Sequence, residues 1–436
     1  ADARVSFVDR DEPVEAFAQQ VPSGVQRIFA DDNASLDIDG SDDYRVDADV
    51  AVIDTGIDYD HPELDVRSGT NCTGGGPFKQ SCSGTAPADG DDDNGHGTHV
   101  AGSAAAIDNG AGVVGVAPGA RLHAVKVLDS SGSGWTSWII AGIDHVTKNA
   151  ATIEVANMSL GGSGTDDGKS CTDTTDAQKK AICSSVGAGV VYAVAAGNED
   201  KDAAGSTPAN HPDVITVSAL ADFDGQPGAL AKPTCRTDQD DTLADFSNFG
   251  PKVEIAAPGV CILSTVPGGG YDTYSGTSMA SPHVAGAAAL LASTSNPGDR
   301  TGVMAIRDKI VSSGNLQWTD DSGDGIKEPL LDVSTFSATL IGSSGGGGDE
   351  GGDPGTTTFS LGATGYKVKG VQKADLSWSG ATSDNVDVYR NGTKITTTAN
   401  DGAYTDNINN KGGATYTYKL CGSGTTTCSN EATVTF

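Results

Sequence analysis

Apolar runs of strand-like length recur along most of the chain, with stretches of helical spacing between them. Because these runs are apolar on both faces, they are typical of parallel strands that helices cover on both sides. One such helix is predicted for WTSWIIAGIDHVTKNA, residues 135–150. The pattern predicts an α/β fold with a mostly parallel sheet. The predicted strands are Val50–Asp54, Arg121–Leu128, Gly189–Ala196 and Val214–Leu220.

The last part of the chain has a different pattern. Short runs rich in Thr, Tyr and Val, such as NVDVYRNGTKI and ATYTYKLC, alternate there with Gly, Asn and Asp turns. The Asn391-Gly392 pair between two alternating runs is typical of a β-hairpin. Residues 359–436 are therefore predicted to form a small antiparallel β-sandwich. Trp378 and Tyr416 are expected in its core rather than in a ligand platform.

A segment of different composition separates these two regions. Residues 341–358, IGSSGGGGDEGGDPGTTT, consist mainly of Gly, Ser and acidic residues. Such a composition cannot build a hydrophobic core, and it is typical of a flexible linker.

The chain of 436 residues has a formal net charge of -31, and the whole excess of acidic over basic residues lies before residue 359. Such a surface repels nucleic acid and anionic membranes, and it suits a protein that stays soluble in salt or collects cations. An acidic surface that is simply solvated, with no partner, is an equally open explanation.

The chain contains no apolar run long enough to cross a membrane. There is no uninterrupted stretch of 18 apolar residues, and ADARVSFVDRDEPVEAF at the start lacks the basic and apolar regions of a signal peptide. We expect a processed, secreted and soluble chain.

The eight cysteines fall in close sequential pairs without the spacing of a zinc site. Disulfides in an oxidising compartment are therefore expected rather than a metal cluster. Nearest-neighbour pairing is the simplest of about 105 possible connectivities, and the sequence does not decide among them. These pairs are Cys72 with Cys82, Cys171 with Cys183, Cys235 with Cys261, and Cys421 with Cys428.

The stretch GTSMASPHVAG, residues 276–286, crowds several hydroxyls around Ser278 and places His283 nearby. If SPHVAGAAALLA is helical, five residues at about 100° each turn His283 roughly 140° away from Ser278. A base for Ser278 must then come from elsewhere. In GHGTHVAGSAA, His96 stands between two glycines at a predicted helix start, whereas His99 lies one turn further and is expected to pack inside.

A histidine base needs a buried carboxylate to hold its tautomer. The run VAVIDTGID supplies Asp54 at the carboxyl end of an apolar strand, where α/β sheets place their sites. A strand-end Asp alone is also typical of a helix cap. The three segments together favour the catalytic interpretation.

The motifs DTGID, GHGTHVAG and GTSMASPHVAG resemble, nearly letter for letter, the active-site signatures of subtilisin-type serine proteases, the subtilase family. They also occur in that family's order of Asp, His and Ser. The resemblance implies that Asp54 orients His96, that His96 takes the proton of Ser278, and that Ser278 attacks the peptide carbonyl. AVAAGNED resembles the family's AAGN motif, which makes Asn198 an oxyanion donor beside the N–H of Ser278.

The resemblance extends to substrate binding. Two glycine-containing segments are similar to those that pair with an extended peptide in this family. With Gly197 they imply a roomy first pocket without fixed charge, and broad specificity with a preference for apolar or aromatic residues before the cut. The residues are Gly132, Ser133, Gly134, Ser159, Leu160, Gly161 and Gly197.

A structural Ca²⁺ is implied by the same resemblance. Its ligands would be Gln19, Glu63, the Asn109 side chain and the carbonyls of Ile107, Ala111 and Val113. The family usually has Asp at the position of Glu63. Separately, DDSGDGIKEP resembles part of an EF-hand loop and offers Asp320 and Asp324, but Leu331 replaces its bidentate Glu. A plain acidic turn is the alternative there.

The resemblance also predicts how the chain is divided. Residues 18–28 are similar to the mature N-terminus of subtilisins, so residues 1–17 are expected to be a propeptide remnant or else an N-terminal extension. A catalytic domain is predicted for 18–340, and a fibronectin type III-like module for 359–436, which could bind a substrate or surface or act as a spacer. We expect a secreted monomer that is inhibited by its own propeptide and acts on proteins and peptides.

Two other function classes fit the sequence less well. A non-catalytic binding protein on a protease scaffold usually lacks a triad residue, whereas Asp54, His96, Ser278 and Asn198 are all present. An α/β-hydrolase esterase requires GxSxG around the nucleophile and the order Ser, Asp, His. This chain has GTSMA and the opposite order.

Overall fold

The computed structural model divides the chain into two compact units, Ala1–Gly345 and Gly346–Phe436. It describes residues 18–74, 81–342, 360–368, 371–379, 383, 385–391, 393–400, 402–423, 429 and 432–436. The segment predicted as a propeptide remnant, nearly all of the predicted linker, and Gly392 of the predicted turn lie outside these residues. The interpretations that rest on them stay predictions.

The first unit alternates strands with helices, as the apolar pattern predicts. The helices are α1 (Ser23–Arg27), α2 (His96–Ala105), α3 (Thr136–Lys148), α4 (Ala177–Gly187), α5 (Thr277–Thr294) and α6 (Arg300–Ser313). The strands up to the middle of the unit are β1 (Tyr44–Val46), β2 (Asp49–Asp54), β3 (Val66–Asn71), β4 (Arg121–Lys126), β5 (Val155–Met158), β6 (Gly162–Ser163) and β7 (Val191–Ala195). The remaining strands are β8 (Ser206–Thr207), β9 (Ile215–Ala221), β10 (Thr242–Leu243), β11 (Ile255–Pro258), β12 (Ile262–Val266), β13 (Gly270–Tyr274) and β14 (Leu340–Gly342).

The central sheet has the strand order β10-β9-β7-β5-β2-β4-β3, with β11 also paired to β9. All of these pairs are parallel except that of β10 with β9. Every residue of β2, β5, β7 and β9 is buried, which explains why these runs are apolar on both faces. The predicted mostly parallel α/β fold is confirmed.

Helix α5 is the central helix of the first unit. It packs on α2 and on β5, β7, β9 and β11, while α3 packs against α4 and β2. At Gly286, helix α5 lies close to α2 and to the segment at Val116. A Cβ there would lie 2.7 Å from Cβ of Val116 and 3.0 Å from the carbonyl oxygen of Ala104 in α2. The small residues of this helix thus allow it to be buried on nearly all sides.

His283 is a core residue of α5, on the side away from Ser278, as the helix geometry predicts. Its Nδ1 lies 2.8 Å from the carbonyl oxygen of Met279, one turn earlier. Its Nε2 faces Gly24 of α1, where a Cβ would collide with the ring. The absence of a side chain at Gly24 therefore lets α1 pack over the histidine.

His99 is buried in the same core, as predicted. Its ring stacks on Tyr274 with centroids 4.3 Å apart, and Nε2 lies 3.0 Å from the carbonyl oxygen of Ile262. Both histidines are thus packed inside rather than presented to a substrate.

Three disulfides join the predicted nearest neighbours in the first unit. They are Cys72–Cys82, Cys171–Cys183 and Cys235–Cys261. The fourth predicted pair includes Cys428, which lies outside the described residues.

The second unit consists of antiparallel strands. They are β15 (Ser360–Val368), β16 (Val371–Ser379), β17 (Asn385–Arg390), β18 (Thr393–Ala399), β19 (Ala403–Asp406), β20 (Thr415–Gly422) and β21 (Ala432–Thr435). They form sheets of the order β15-β16-β19 and β18-β17-β20-β21. Trp378 and Tyr416 belong to the unit's hydrophobic core, as predicted. The likeness to a fibronectin type III module stays a prediction.

The two buried histidines lead to a prediction about pH and stability. Burial lowers the pKa of His99 and of His283 to about 4, below the ordinary value of 6.5. Because the folded protein holds both rings neutral, their contribution to stability is complete above about pH 6.5 and is lost as the pH falls toward 4. One such shift corresponds to up to about 3 kcal/mol.

We therefore expect His283→Asn to weaken the acid destabilisation of the fold. The Asn amide can still donate to the Met279 carbonyl but cannot ionise, so Tm should fall less between pH 6.5 and 4.5 than in the parent. Melting curves in a Ser278→Ala background, which should prevent self-digestion, measure this difference. Equal decreases in the two proteins would contradict it.

Candidate active site

Four elements bring the predicted catalytic residues to one side of the central sheet. Asp54 ends β2, His96 begins α2, Asn198 follows β7, and Ser278 is the second residue of α5. Parallel strands bring their carboxyl ends to the same edge, so residues far apart in sequence can meet there. Of these four residues, His96, Asn198 and Ser278 line one cleft, and Asp54 lies buried behind His96.

His96 and Asp54 form a direct hydrogen bond. The distance from Nδ1 of His96 to Oδ1 of Asp54 is 2.7 Å, and Asp54 is fully buried. The same oxygen accepts the N–H of Thr55 at 2.7 Å. If Nδ1 carries the proton given to Asp54, then Nε2 of His96 is the nitrogen free to accept another.

Glycines on both sides of His96 make this contact possible. Gly95 precedes α2 with φ of 110°, a backbone conformation that favours glycine. At Gly97 a Cβ would collide with the carbonyl oxygen of Gly56. The GHG sequence therefore lets the start of α2 approach the end of β2.

The environment of His96 changes its proton affinity. Burial lowers the pKa of His96, but the negative charge of Asp54 and the hydrogen bond to it raise the pKa by more. The charge of Asp92 acts in the same direction. The net result is a pKa above the ordinary value of 6.5, as expected for an imidazole whose protonated form is stabilised by a buried carboxylate.

Ser278 faces the cleft from the N-terminal turn of α5. Its Oγ donates to the carbonyl oxygen of Ser159 at 3.3 Å, and Oγ of Ser159 donates to the carbonyl oxygen of Ser278 at 2.7 Å. Among the hydrogen bonds of the described residues, none joins Ser278 to His96. Hydrogen bonds of this kind are often long in the absence of substrate and shorten when it binds.

The Asn198 carboxamide is held by the residue before Ser278. Its Oδ1 accepts the N–H of Thr277 at 2.8 Å and the hydroxyl of Thr277 at 2.9 Å. In the described part of the chain, neither Nδ2 of Asn198 nor the N–H of Ser278 donates a hydrogen bond to a protein group. Two donors beside Ser278 are therefore available to a ligand in the cleft.

The cleft has a volume of about 570 Å³. All the residues predicted to bind substrate line it, namely Gly132, Ser133, Gly134, Ser159, Leu160, Gly161 and Gly197. Glu199 and Lys201 line it as well, with a distance of 3.5 Å between Oε2 and Nζ. The cleft as a whole therefore carries charge, because the loop after β7 brings both side chains to its wall. The first pocket without fixed charge, which is only part of this cleft, stays a prediction.

The residues predicted to bind Ca²⁺ also lie together, outside the cleft. Oε1 of Gln19 accepts the N–H groups of Asn109 and Gly110, each at 2.9 Å. Glu63 reaches the same loop and accepts the N–H of Val113 at 3.0 Å. The two side chains thus meet the predicted ligand loop.

The donors at this loop fit a hard cation. Oε2 of Glu63 keeps a lone pair beside its one hydrogen bond, whereas Oε1 of Gln19 accepts two N–H groups, so it can bind an ion only if one of them is released. Within the described residues, the carbonyl oxygens of Ile107, Ala111 and Val113 accept no hydrogen bond. Carboxamide, carboxylate and free carbonyl oxygens are the ligands that Ca²⁺ prefers.

The second predicted calcium loop does not assemble a comparable set. Oδ1 of Asp320 accepts the N–H of Ser322 at 3.0 Å, and Oδ1 of Asp324 accepts the N–H of Ile326 at 2.7 Å. In residues 18–74 and 81–342, no third carboxylate, His or Cys joins this pair as a metal-binding group. A calcium site at Asp320 and Asp324 stays a prediction, and a plain acidic turn stays its alternative.

Sequence reasoning did not identify Asp92, a buried carboxylate beside the His96 site. Asp92 accepts the hydroxyls of Thr55 at 2.8 Å and Thr98 at 2.6 Å, and the Thr55 oxygen in turn accepts the N–H of Gly97 at 2.9 Å. In the run DGDDDNG an acidic residue is typical of a solvated loop. The sequence feature that could have pointed to Asp92 is its position four residues before His96.

The His96–Asp54 contact gives a testable prediction. Asp54→Asn removes the charge that contributes most to raising the pKa of His96. This pKa should fall from above 6.5 to below it, because the effect of burial then outweighs the smaller effect of the Asp92 charge. NMR titration of the His96 ring in a Ser278→Ala background measures the shift. Asp202→Asn, which changes a carboxylate elsewhere, serves as a control and should leave the His96 pKa unchanged. An unaltered pKa in Asp54→Asn would contradict the assignment of its cause.

Comparison with known proteins agrees with the fold. Residues 47–323 match the family model described as the Subtilase family. The chain is 43% identical over 297 residues to subtilisin NAT of Bacillus subtilis subsp. natto and to subtilisin E of Bacillus subtilis (strain 168). Each alignment covers 67% of this chain and 66% of the relative, so the chain spans just under two thirds of their length.

Two further comparisons cover more of the matched protein. The chain is 44% identical over 281 residues to a subtilisin of Bacillus pumilus, an alignment that covers 63% of this chain and 86% of that relative. A solved structure of a cold adapted subtilisin-like serine proteinase is similar with a TM-score of 0.53 and 31% identity, and it covers 71% of this chain and 97% of that chain. The chain belongs to the subtilase family.

Proposed function

We propose that this protein is a serine endopeptidase that hydrolyses peptide bonds through an acyl-enzyme. The observation that carries the proposal is the buried Asp54–His96 hydrogen bond of 2.7 Å beside a cleft that also contains Ser278 and Asn198. A neutral His96 with Nε2 facing the cleft is the base that a serine nucleophile requires.

The proposed reaction begins with transfer of the Ser278 proton to Nε2 of His96. Oγ of Ser278 then forms a bond to the peptide carbonyl carbon, and the carbonyl oxygen becomes an oxyanion. Asp54 stabilises the imidazolium through Nδ1 without taking its proton. The oxyanion then reforms the carbonyl and the peptide C–N bond breaks as His96 gives its proton to the leaving amine. Water, deprotonated by His96, later attacks the acyl-enzyme, and Ser278 leaves with the proton that His96 returns.

The oxyanion requires donors that are already in place. Nδ2 of Asn198 and the N–H of Ser278 are two such donors, and Thr277 holds the Asn198 carboxamide in position. The N-terminus of α5 adds its partial positive charge at the same point. We therefore assign the oxyanion site to Asn198 and Ser278.

The substrate is proposed to be an extended peptide bound between two glycine-containing segments. Gly132 and Gly161 leave room for a peptide backbone to pair on either side. The cleft walls are mixed, because Leu128 and Ile139 are apolar whereas Glu199 and Lys201 are charged. We propose broad specificity with apolar or aromatic residues preferred before the cut, and modulation by the two charges.

We further propose that the enzyme is secreted, monomeric and inhibited by its own propeptide before maturation. The three disulfides of the first unit support an oxidising compartment. In the described ranges, no helix is both long enough and apolar enough to span a bilayer.

The β-sheet unit at the C-terminal end is proposed to be a fibronectin type III-like module. Its antiparallel sheets and its own hydrophobic core support a separate folding unit. We propose that it spaces the protease from a surface or binds a substrate, and that it takes no part in the hydrolysis.

Hydrolysis should depend on Ser278 and Asn198. Ser278→Ala should abolish cleavage of casein and of a chromogenic peptide, because the nucleophile is lost. Asn198→Gly should lower kcat with little change in KM, since the donor acts on the transition state; loss of one such donor in subtilisin itself costs about 10²–10³-fold. His283→Asn, a core change outside the cleft, is the matched control and should retain activity. Full activity of Ser278→Ala would contradict the proposal.

Removal of calcium should destabilise the protein through the loop at residues 107–113. A bound Ca²⁺ would join Gln19 and Glu63 to this loop, so chelation with EDTA should lower Tm by several degrees. Glu63→Gln removes the charged ligand and should reduce the stabilisation by added Ca²⁺. Melting curves of Ser278→Ala proteins with and without EDTA measure both effects. A Tm that does not respond to EDTA would argue against any structural calcium.

A further inference from the structure

The loop that connects β9 to β10 contains a group of carboxylates that the active site does not use. Asp222, Asp240 and Asp241 are 0%, 1% and 2% exposed, whereas Asp224 is exposed. A buried carboxylate is costly unless a cation or a set of donors compensates its charge.

Backbone N–H groups fix the position of these side chains. Asp240 accepts the N–H of Phe223 on one oxygen and that of Ala231 on the other, each at 2.9 Å. Oδ1 of Asp222 accepts the N–H of Gly225 at 2.6 Å. Each of these oxygens keeps a second lone pair.

Three of the carboxylates converge. One oxygen each of Asp222, Asp224 and Asp240 lies within 4.8 Å of the other two. Ligand oxygens lie about 2.3–2.6 Å from a Ca²⁺ ion, so two ligands of one ion are at most about 4.6–5.2 Å apart. The observed spacing fits three oxygens around one Ca²⁺.

An independent observation concerns the second oxygen of Asp222. Oδ2 is fully buried and accepts no hydrogen bond. Nε of Arg27 lies 3.0 Å away, but its N–H is directed to Oδ1 of Asp241 at 2.9 Å. A second nitrogen of Arg27 donates to Asp241 as well. Arg27 is therefore hydrogen-bonded to Asp241, and Oδ2 of Asp222 is left without a donor.

The charges of the group are unequal. Among the described residues, the buried cation Arg27 pairs with two of the three buried carboxylates, Asp222 and Asp241, and its single charge leaves a negative excess. Burial raises the pKa of Asp222 to about 7, and the charges of Asp240 and Asp241 add to this increase. Either a proton or a metal cation can supply positive charge, and a divalent ion can contact all three converging carboxylates at once.

We propose that Asp222, Asp224 and Asp240 form a Ca²⁺ site that ties the β9–β10 loop together. The site is separate from the loop at residues 107–113 and from the cleft. Through Arg27 it also joins this loop to α1. Its role is structural, and it does not depend on the proposed proteolytic function.

The test counts Ca²⁺ bound to the full-length chain in a Ser278→Ala background. After chelation, equilibrium dialysis against radioactive calcium gives the number and affinity of sites. Asp224→Asn is the decisive variant, because Asp224 is exposed and its one backbone contact, from the N–H of Gln226 at 3.0 Å, can be kept by an Asn oxygen. It should remove one bound Ca²⁺ or weaken one site at least tenfold.

The matched control is Asp202→Asn. This residue is also exposed, and it accepts the backbone N–H of Ala204, two residues later, at 2.8 Å. It should leave the number and affinity of sites unchanged. Glu63→Gln should remove a different ion, so the double variant Asp224→Asn with Glu63→Gln should lose both.

Two results would overturn the proposal. The first is equal calcium binding by Asp224→Asn and its parent, which would mean that a proton on Asp222 neutralises the cluster. The second is equal losses in Asp224→Asn and Asp202→Asn, which would mean that surface charge alone attracts the ion. Asp240→Asn provides a second variant, and it should reproduce the loss of one Ca²⁺.

Discussion

The buried contact between Asp54 and His96 is the constraint on which the rest of the active site depends. It places a carboxylate inside the protein without a Lys or Arg partner. This is tolerated because an imidazole and a backbone N–H donate to it. To bring the imidazole there, α2 must begin at the end of β2, and the glycines beside His96 allow that approach. Helix α5 then packs on α2 and presents Ser278 to the same cleft.

Much of this arrangement could be predicted from the sequence. Buried parallel strands appear as apolar runs because both faces are covered, so β2, β4, β7 and β9 were found nearly at their observed limits. The residues of the cleft lie in short, glycine-rich motifs whose spacing reflects strand ends and helix starts. Such motifs can be recognised in the sequence because residues close together in the chain determine these local structures.

Other features depend on contacts between distant segments, and the sequence does not display those. The hydrogen bonds between Ser159 and Ser278 join residues 119 positions apart. The charges of Glu199 and Lys201 reach the cleft because of the path of one loop. Asp222 and Asp240 are acidic residues in a polar, glycine-containing segment, a pattern that usually indicates solvated loop; only the fold buries them.

The contacts of the first described residues have a consequence for the order of folding. Asn33 donates to the carbonyl oxygens of Val333 and Phe336, and β1 pairs with β14 near residue 341. Contacts between such distant residues carry a large loop-closure cost and form late. During synthesis, the first unit cannot complete its core until β14 has been made. The same connectivity keeps the nascent chain from assembling a finished first unit before that strand leaves the ribosome.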